Sequence, residues 1–215
     1  DDKDALNDAL QEAASKHAIE LPPGPLPQIP HTWRDHDWNL AYVDDPQYPS
    51  LLREIADPPI LIYYRGQGSD LSHSKQVTIV GARKCSQYGR TVLEDLIPEL
   101  CLHGWRTVSG FALGIDGLCH RLTLDHGGET LAVLPCSLDQ TYPSRHINLR
   151  RDVEQSGYMI SEYPPDTDVR KHHFVARNRL LSGLSEVTLI VEAWEKSGTL
   201  LTANAAANQG RTVMA

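Results

Sequence analysis

From residue 76 onward the sequence alternates short apolar runs with segments of helical period, and this rhythm restricts the possible folds more than any other feature. The runs Val77–Val80, Thr107–Ser109, Thr130–Leu134, Tyr158–Ser161, Thr188–Val191 and Thr212–Met214 read as strands buried on both faces. After the first of them, Val92, Leu93, Leu96, Ile97, Leu100 and Cys101 fall on one face of a helix. Strands of this kind joined by helices imply an α/β fold: a Rossmann-like parallel sheet with helices on both faces. No internal repeat interrupts the pattern.

The first 75 residues are organised differently. Leu6, Leu10, Ala13, Ala14 and His17 make a thin apolar stripe over 4–20, and Pro22, Pro23, Pro25, Pro27 and Pro30 then forbid helix continuation. Residues 1–30 are read as an appendage and linker, and Asp1-Asp2-Lys3 resembles the remnant of a cleavage tag. Residues 31–75 form a small N-terminal subregion. There Tyr48-Pro49-Ser50-Leu51-Leu52 opens a short helix, Pro58-Pro59 stops it, and Ile60–Tyr64 reads as a strand ending at Gly66. Residues 76–215 make the Rossmann-like domain. Because Ala215 falls at the last strand, the domain is expected to continue past it.

Charge divides along the same boundary. Residues 1–75 hold 13 Asp and Glu against 6 Lys and Arg, whereas 76–215 hold 15 against 14, so most of the net charge of −8 lies N-terminally. A near-neutral domain can carry a basic pocket. No run of about 18 apolar residues offers a membrane span. The N-terminus has no signal-peptide pattern, which predicts a cytosolic protein. Cys85, Cys101, Cys119 and Cys136 are widely spaced without a Cys-x-x-Cys pair, which argues against zinc and against a disulfide framework.

In a parallel sheet, ligands bind beyond the carboxyl ends of the strands. Three loops at that edge carry suitable chemistry. In Gly81-Ala82-Arg83-Lys84-Cys85-Ser86-Gln87-Tyr88-Gly89, Gly81 permits a sharp turn and Ser86 can cap the following helix. Arg83 supplies a planar cation suited to phosphate or to stacking on a base. The loop is neither Gly-x-Gly-x-x-Gly nor a Walker loop. In Ser109-Gly110-Phe111-Ala112-Leu113-Gly114-Ile115-Asp116, small residues permit close backbone approach by a ligand. Asp116 and His120, at i and i+4, pair either as a base with its orienter or as a structural clamp. The third loop, Ser197-Gly198-Thr199, opens an alanine-rich helix whose N-terminus is receptive to anions.

The densest cluster is Arg170-Lys171-His172-His173-Phe174-Val175-Ala176-Arg177-Asn178-Arg179. Cations neutralise phosphates, and a ring such as Phe174 stacks on a base, a combination suited to single strands because duplex bases are already paired. Arg145, Arg150 and Arg151 could extend this stripe. His172-His173 has no further ligand nearby to complete a metal site, so no metal is expected.

These motifs resemble the DNA-processing protein A (Smf) family. The resemblance rests on Gly81–Gly89, Ser109–His120, Phe174 with Arg177-Asn178-Arg179, Ser182-Gly183-Leu184-Ser185, Ser197–Ala203, Gly210-Arg211, and N-terminal Tyr48-Pro49 and Asp57-Pro58-Pro59. It covers about residues 38–215. Pro135-Cys136-Ser137 depart from the family's glycine-containing turn. The resemblance implies an extended Rossmann fold that binds single-stranded DNA without sequence preference, forms a homodimer, protects incoming DNA in natural transformation and loads RecA recombinase. It implies no catalytic residue and no cofactor. By position, the DNA site uses Arg83, Lys171, Phe174, Arg177 and Arg179, with Gly81, Ala82, Ser109, Gly110, Ser197, Gly198 and Thr199 around them. Ser86, Tyr88, Gly89, Gly114, Asp116 and His120 are structural, and Asn178 contacts DNA or braces the loop.

Two other readings use the same loops. One is a nucleotide-sensing module. The other is a nucleoside-monophosphate phosphoribohydrolase, although Leu200, Leu201, Thr202 and Ala203 leave no carboxylate where that chemistry needs its general catalyst.

Overall fold

The structure, a computed structural model, describes residues 15–16, 37–194 and 197–215. The expected appendage helix and proline linker lie outside these residues, apart from Ser15 and Lys16. Eight strands form one sheet: β1 (Asn39–Tyr42), β2 (Leu61–Gly66), β3 (Gln76–Gly81), β4 (Arg106–Ser109), β5 (Thr130–Val133), β6 (Gly157–Ser161), β7 (Val187–Glu192) and β8 (Thr212–Met214). The helices are α1 (Ser50–Arg53), α2 (Gln87–Leu102), α3 (Ile115–Asp125), α4 (Ile147–Ser156), α5 (Lys171–Gly183) and α6 (Gly198–Asn208). All seven strands expected from the apolar runs are present, within one or two residues at their ends.

The strand order is β1-β2-β6-β5-β4-β3-β7-β8. From β6 to β8 every pairing is parallel. The sheet is nevertheless mixed, because β2 runs antiparallel to β6 and β1 antiparallel to β2. The N-terminal strands therefore extend the same sheet. Their Ala41 and Ile62 join Leu52 of α1 in one core with Val108, Ile160, Leu180 and Leu184.

Helix α2 shows how the sequence positions the crevice edge. Ser86 caps it, accepting the Gly89 N–H at 3.1 Å, and Leu93 and Ile97 are buried against Val77 and Ile79. Glu192 at the end of β7 accepts the Ser86 N–H at 3.0 Å, tying two neighbouring strand ends together. From β3 the chain crosses towards β4 on one side, while β7 lies on the other. The sheet therefore has its topological switch point between β3 and β7, where a crevice opens beyond the strand ends.

Candidate nucleic-acid interface

A crevice of about 380 Å³ occupies this switch point, at the small end of the roughly 300–1,000 Å³ typical of ligand sites. Gly81, Ala82, Arg83 and Lys84 of the β3–α2 loop form one wall. Phe174, Arg177, Asn178 and Leu181 line it from α5, and their i, i+3, i+4, i+7 spacing places all four on one helix face. Trp194, Ser197, Gly198 and Thr199 close it from the β7–α6 side.

The Arg83 guanidinium carbon lies 5.2 Å from the Phe174 ring centroid, a cation–π contact. Tyr142 meets the same ring edge-on at 5.5 Å. Thr199 fixes the opposite wall by donating its hydroxyl to the Gly81 carbonyl at 3.1 Å, and Asn178 donates to the Gly198 carbonyl at 3.3 Å. Asn178 thus braces the loop. Ser197 occupies the N-cap of α6 without a side-chain cap bond, and its buried hydroxyl has no partner among the described residues. The first N–H groups of a helix have no intrahelical acceptor, so this end of α6 presents donors to an anion.

Three expectations need correction. Ser109 is buried and donates to the Ile79 carbonyl at 2.6 Å, so it clamps β4 to β3 beneath the crevice. Gly110 lies there too: a Cβ would sit 2.6 Å from the Asp116 carboxylate and 2.8 Å from Arg177. Gly114 (φ +83°) has a structural role: the Ala82–Arg83 backbone packs on it, and a Cβ would fall 2.2 Å from the Ala82 carbonyl. Asp116 and His120 do not pair. Asp116 lines the crevice and accepts the Ala112 N–H at 3.3 Å, whereas buried His120 bonds Thr130 through Nδ1 at 2.7 Å. Burial lowers His120 to about 3.

The basic cluster is also divided. Arg177 reaches the crevice, but it is buried and donates to the Gly110 carbonyl at 2.7 Å and to the Val133 carbonyl. Burial pulls it down to about 10, opposed by the nearby Asp116 charge. It therefore acts as a positive floor that holds two strand-end carbonyls. Arg179 faces away from the crevice, bridging both oxygens of Glu162 at 3.0 and 2.6 Å and reaching Asp57 at 3.1 Å. Arg150 is likewise engaged, with Glu154 at 2.8 Å and the Gln140 carbonyl at 2.6 Å. His173 is buried, stacked on Tyr163 with centroids 4.1 Å apart and bonded to the Pro135 carbonyl. Arg170, Lys171 and His172 are exposed, with Lys171 one turn before Phe174. Tyr88 is exposed outside the crevice, while Gly89 packs under Glu192 and Ile115.

Among the lining residues not singled out from the sequence are Lys84 and Trp194. Lys84 was legible, since it adjoins Arg83 in the same loop. Trp194 carried a weaker signal, an aromatic residue just past a strand that has no hydrophobic partner in sequence.

Comparison with known proteins fits this geometry. The profile of the family described as DNA recombination-mediator protein A matches residues 39–215. A DNA processing protein DprA from Bacillus subtilis is 38% identical over 208 residues, covering 97% of this chain and 70% of that protein. The Streptococcus pneumoniae protein is 39% identical over 177 residues, 82% of this chain and 62% of its own length. Protein Smf of Escherichia coli is 38% identical, and the chain spans 47% of it. The chain thus spans between about half and 70% of these curated relatives. Among solved structures, DprA from Streptococcus pneumoniae superposes with a TM-score of 0.81 at 30% identity, covering 99% of this chain and 81% of that one. A Helicobacter pylori DNA processing protein A, described for its single-stranded DNA binding mode, superposes with a TM-score of 0.73 at 29% identity, covering 83% and 80%. By sequence and by structure, the chain belongs to the DNA recombination-mediator protein A family.

Proposed function

We propose that the switch-point crevice binds single-stranded DNA without sequence preference, and that the protein holds the strand rather than cutting it. The observation that carries this reading is Arg83 stacked on Phe174 beside the open N-terminus of α6. A phosphate would meet Arg83, Lys84 and the helix N–H groups, while the Arg83–Phe174 platform offers a flat surface to an unpaired base. Lys171 adds an exposed cation on the same helix as Phe174. The lining carboxylate, Asp116, is committed to the Ala112 N–H, and no acid lies in the first turn of α6, which favours binding over glycosidic hydrolysis. The single-stranded DNA binding described for the Helicobacter pylori relative supports the same reading. Family membership supports the wider role: a homodimer that protects incoming DNA and loads RecA recombinase.

Anisotropy titrations of a labelled oligo-dT across a salt series test the site. Arg83→Ala and Lys171→Ala should each weaken binding and reduce the slope of log K against log salt by about 0.7, the single-strand value per phosphate. Arg179→Gln, whose native charge is engaged by Glu162 and Asp57, should leave the slope unchanged. Wild-type slopes in both Arg83→Ala and Lys171→Ala would refute the proposed contacts. For the wider role, RecA-dependent ATP hydrolysis on a strand precoated with single-strand-binding protein should rise when this protein is added. An unchanged rate would argue against loading.

A further inference from the structure

The rings at the crevice differ in how they are occupied. Phe174 carries Arg83 over its ring and makes a T-shaped contact with Tyr142. Trp194 lines the same crevice from the β7–α6 side, is 71% exposed, and has no ring or cation contact among the described residues. An indole is the largest aromatic surface a protein can present, and leaving one in water forfeits the burial that normally retains it. Its backbone is fixed close by: the Trp194 carbonyl accepts the Ser197 N–H at 2.9 Å, just before α6. The residue is therefore held by its backbone just before the α6 N-terminus, and it lines the same crevice as Arg83 and Phe174.

We propose that Trp194 is a second, opposing stacking surface, so that a nucleobase entering the crevice is held between the indole and the Arg83–Phe174 platform. This inference rests on the single-strand reading of the crevice. Its chemistry requires a base and not a phosphate: stacking uses the π-face that every base possesses, which makes the contact sequence-tolerant and nearly independent of salt. Trp194 is so exposed that replacing it disturbs no packing, so its variants should fold as the wild type does.

The test compares wild type, Trp194→Ala, Trp194→Phe and Phe174→Ala on two probes of equal length, oligo-dT and a strand of abasic sites with the same phosphates. Trp194→Ala should weaken oligo-dT binding by about 5- to 150-fold and leave binding to the abasic strand unchanged. Trp194→Phe should recover part of the loss. Oligo-dT should also quench the tryptophan emission of the wild type, and this quenching should largely vanish in Trp194→Phe. Wild-type affinity of Trp194→Ala for oligo-dT, alongside a loss in Phe174→Ala, would overturn the role of Trp194 while leaving the crevice reading intact. A wild-type protein that binds neither probe would overturn both.

Discussion

The double variant Arg83→Ala/Phe174→Ala is expected to bind an oligo-dT about 30- to 1,000-fold more weakly than the wild type, combining loss of a base platform worth ~1–3 kcal/mol with loss of a phosphate contact. The two single losses should not add. Arg83 lies over the Phe174 ring at 5.2 Å, so each residue orients the other. Removing Phe174 frees the guanidinium, and removing Arg83 uncovers the ring. A double-mutant cycle should therefore return a coupling of about 0.5–1 kcal/mol. The salt slope should follow Arg83 alone, because stacking releases no counterions. Strictly additive losses would mean that the two side chains act at separate places.

A second large effect concerns stability in acid. His120 is buried in α3, bonded to Thr130, and burial lowers it from the ordinary 6.5 to about 3. Below pH 6.5 the unfolded chain takes up a proton at this residue that the folded protein refuses until about pH 3. The unfolded state then binds more protons, so stability falls as pH falls through that window, at about 1.4 kcal/mol per pH unit for one proton. Above the window the contribution is fully present. Between pH 6 and pH 4, His120→Asn should lose about 2.5 kcal/mol less than the wild type in urea unfolding, even though it starts from a lower stability. His146 and His173 are also lowered by burial, and they leave a residual slope in the variant. Parallel pH profiles for wild type and His120→Asn would show that this imidazole does not control acid unfolding.

The sheet was legible because β3, β5, β6 and β7 carry short runs of mostly apolar residues, and a helical-period face such as that of α2 has one interpretation. Strand β1 was not legible. Its four residues begin with an exposed Asn39, and it is a strand chiefly because β2 pairs with it. The antiparallel direction of β2 is likewise set by its pairing with β6, a contact about 95 residues away in sequence that no local pattern encodes. The same holds for the switch point, which depends on the crossover that places β7 beside β3.

At the site, residue type was informative and residue orientation was not. Arg83 and Phe174, assigned to one site from the sequence, lie against each other in the structure. Among the basic residues of α5, however, Lys171, Arg177 and Arg179 look equivalent in a list of charges. Their spacing held the missing information: Arg177 is three residues from Phe174 and four from Leu181, on the inward face, while Arg179 falls off that face. What Arg179 meets there, Asp57 and Glu162, lies 122 and 17 residues away in sequence. Ser109 and Gly110 were read as ligand contacts because small residues at strand ends permit close approach. Here the approaching groups are the protein's own, Ile79 for Ser109 and the Asp116–Arg177 pair for Gly110.

The central claim is that the crevice grips unpaired nucleotides, and it is tested most directly by competing a labelled oligo-dT against unlabelled single-stranded and duplex DNA of equal length at one salt concentration. The single strand should displace the label at least about tenfold more effectively than the duplex, whose stacked bases cannot reach the Arg83–Phe174 platform. Equal or better displacement by the duplex would contradict the account.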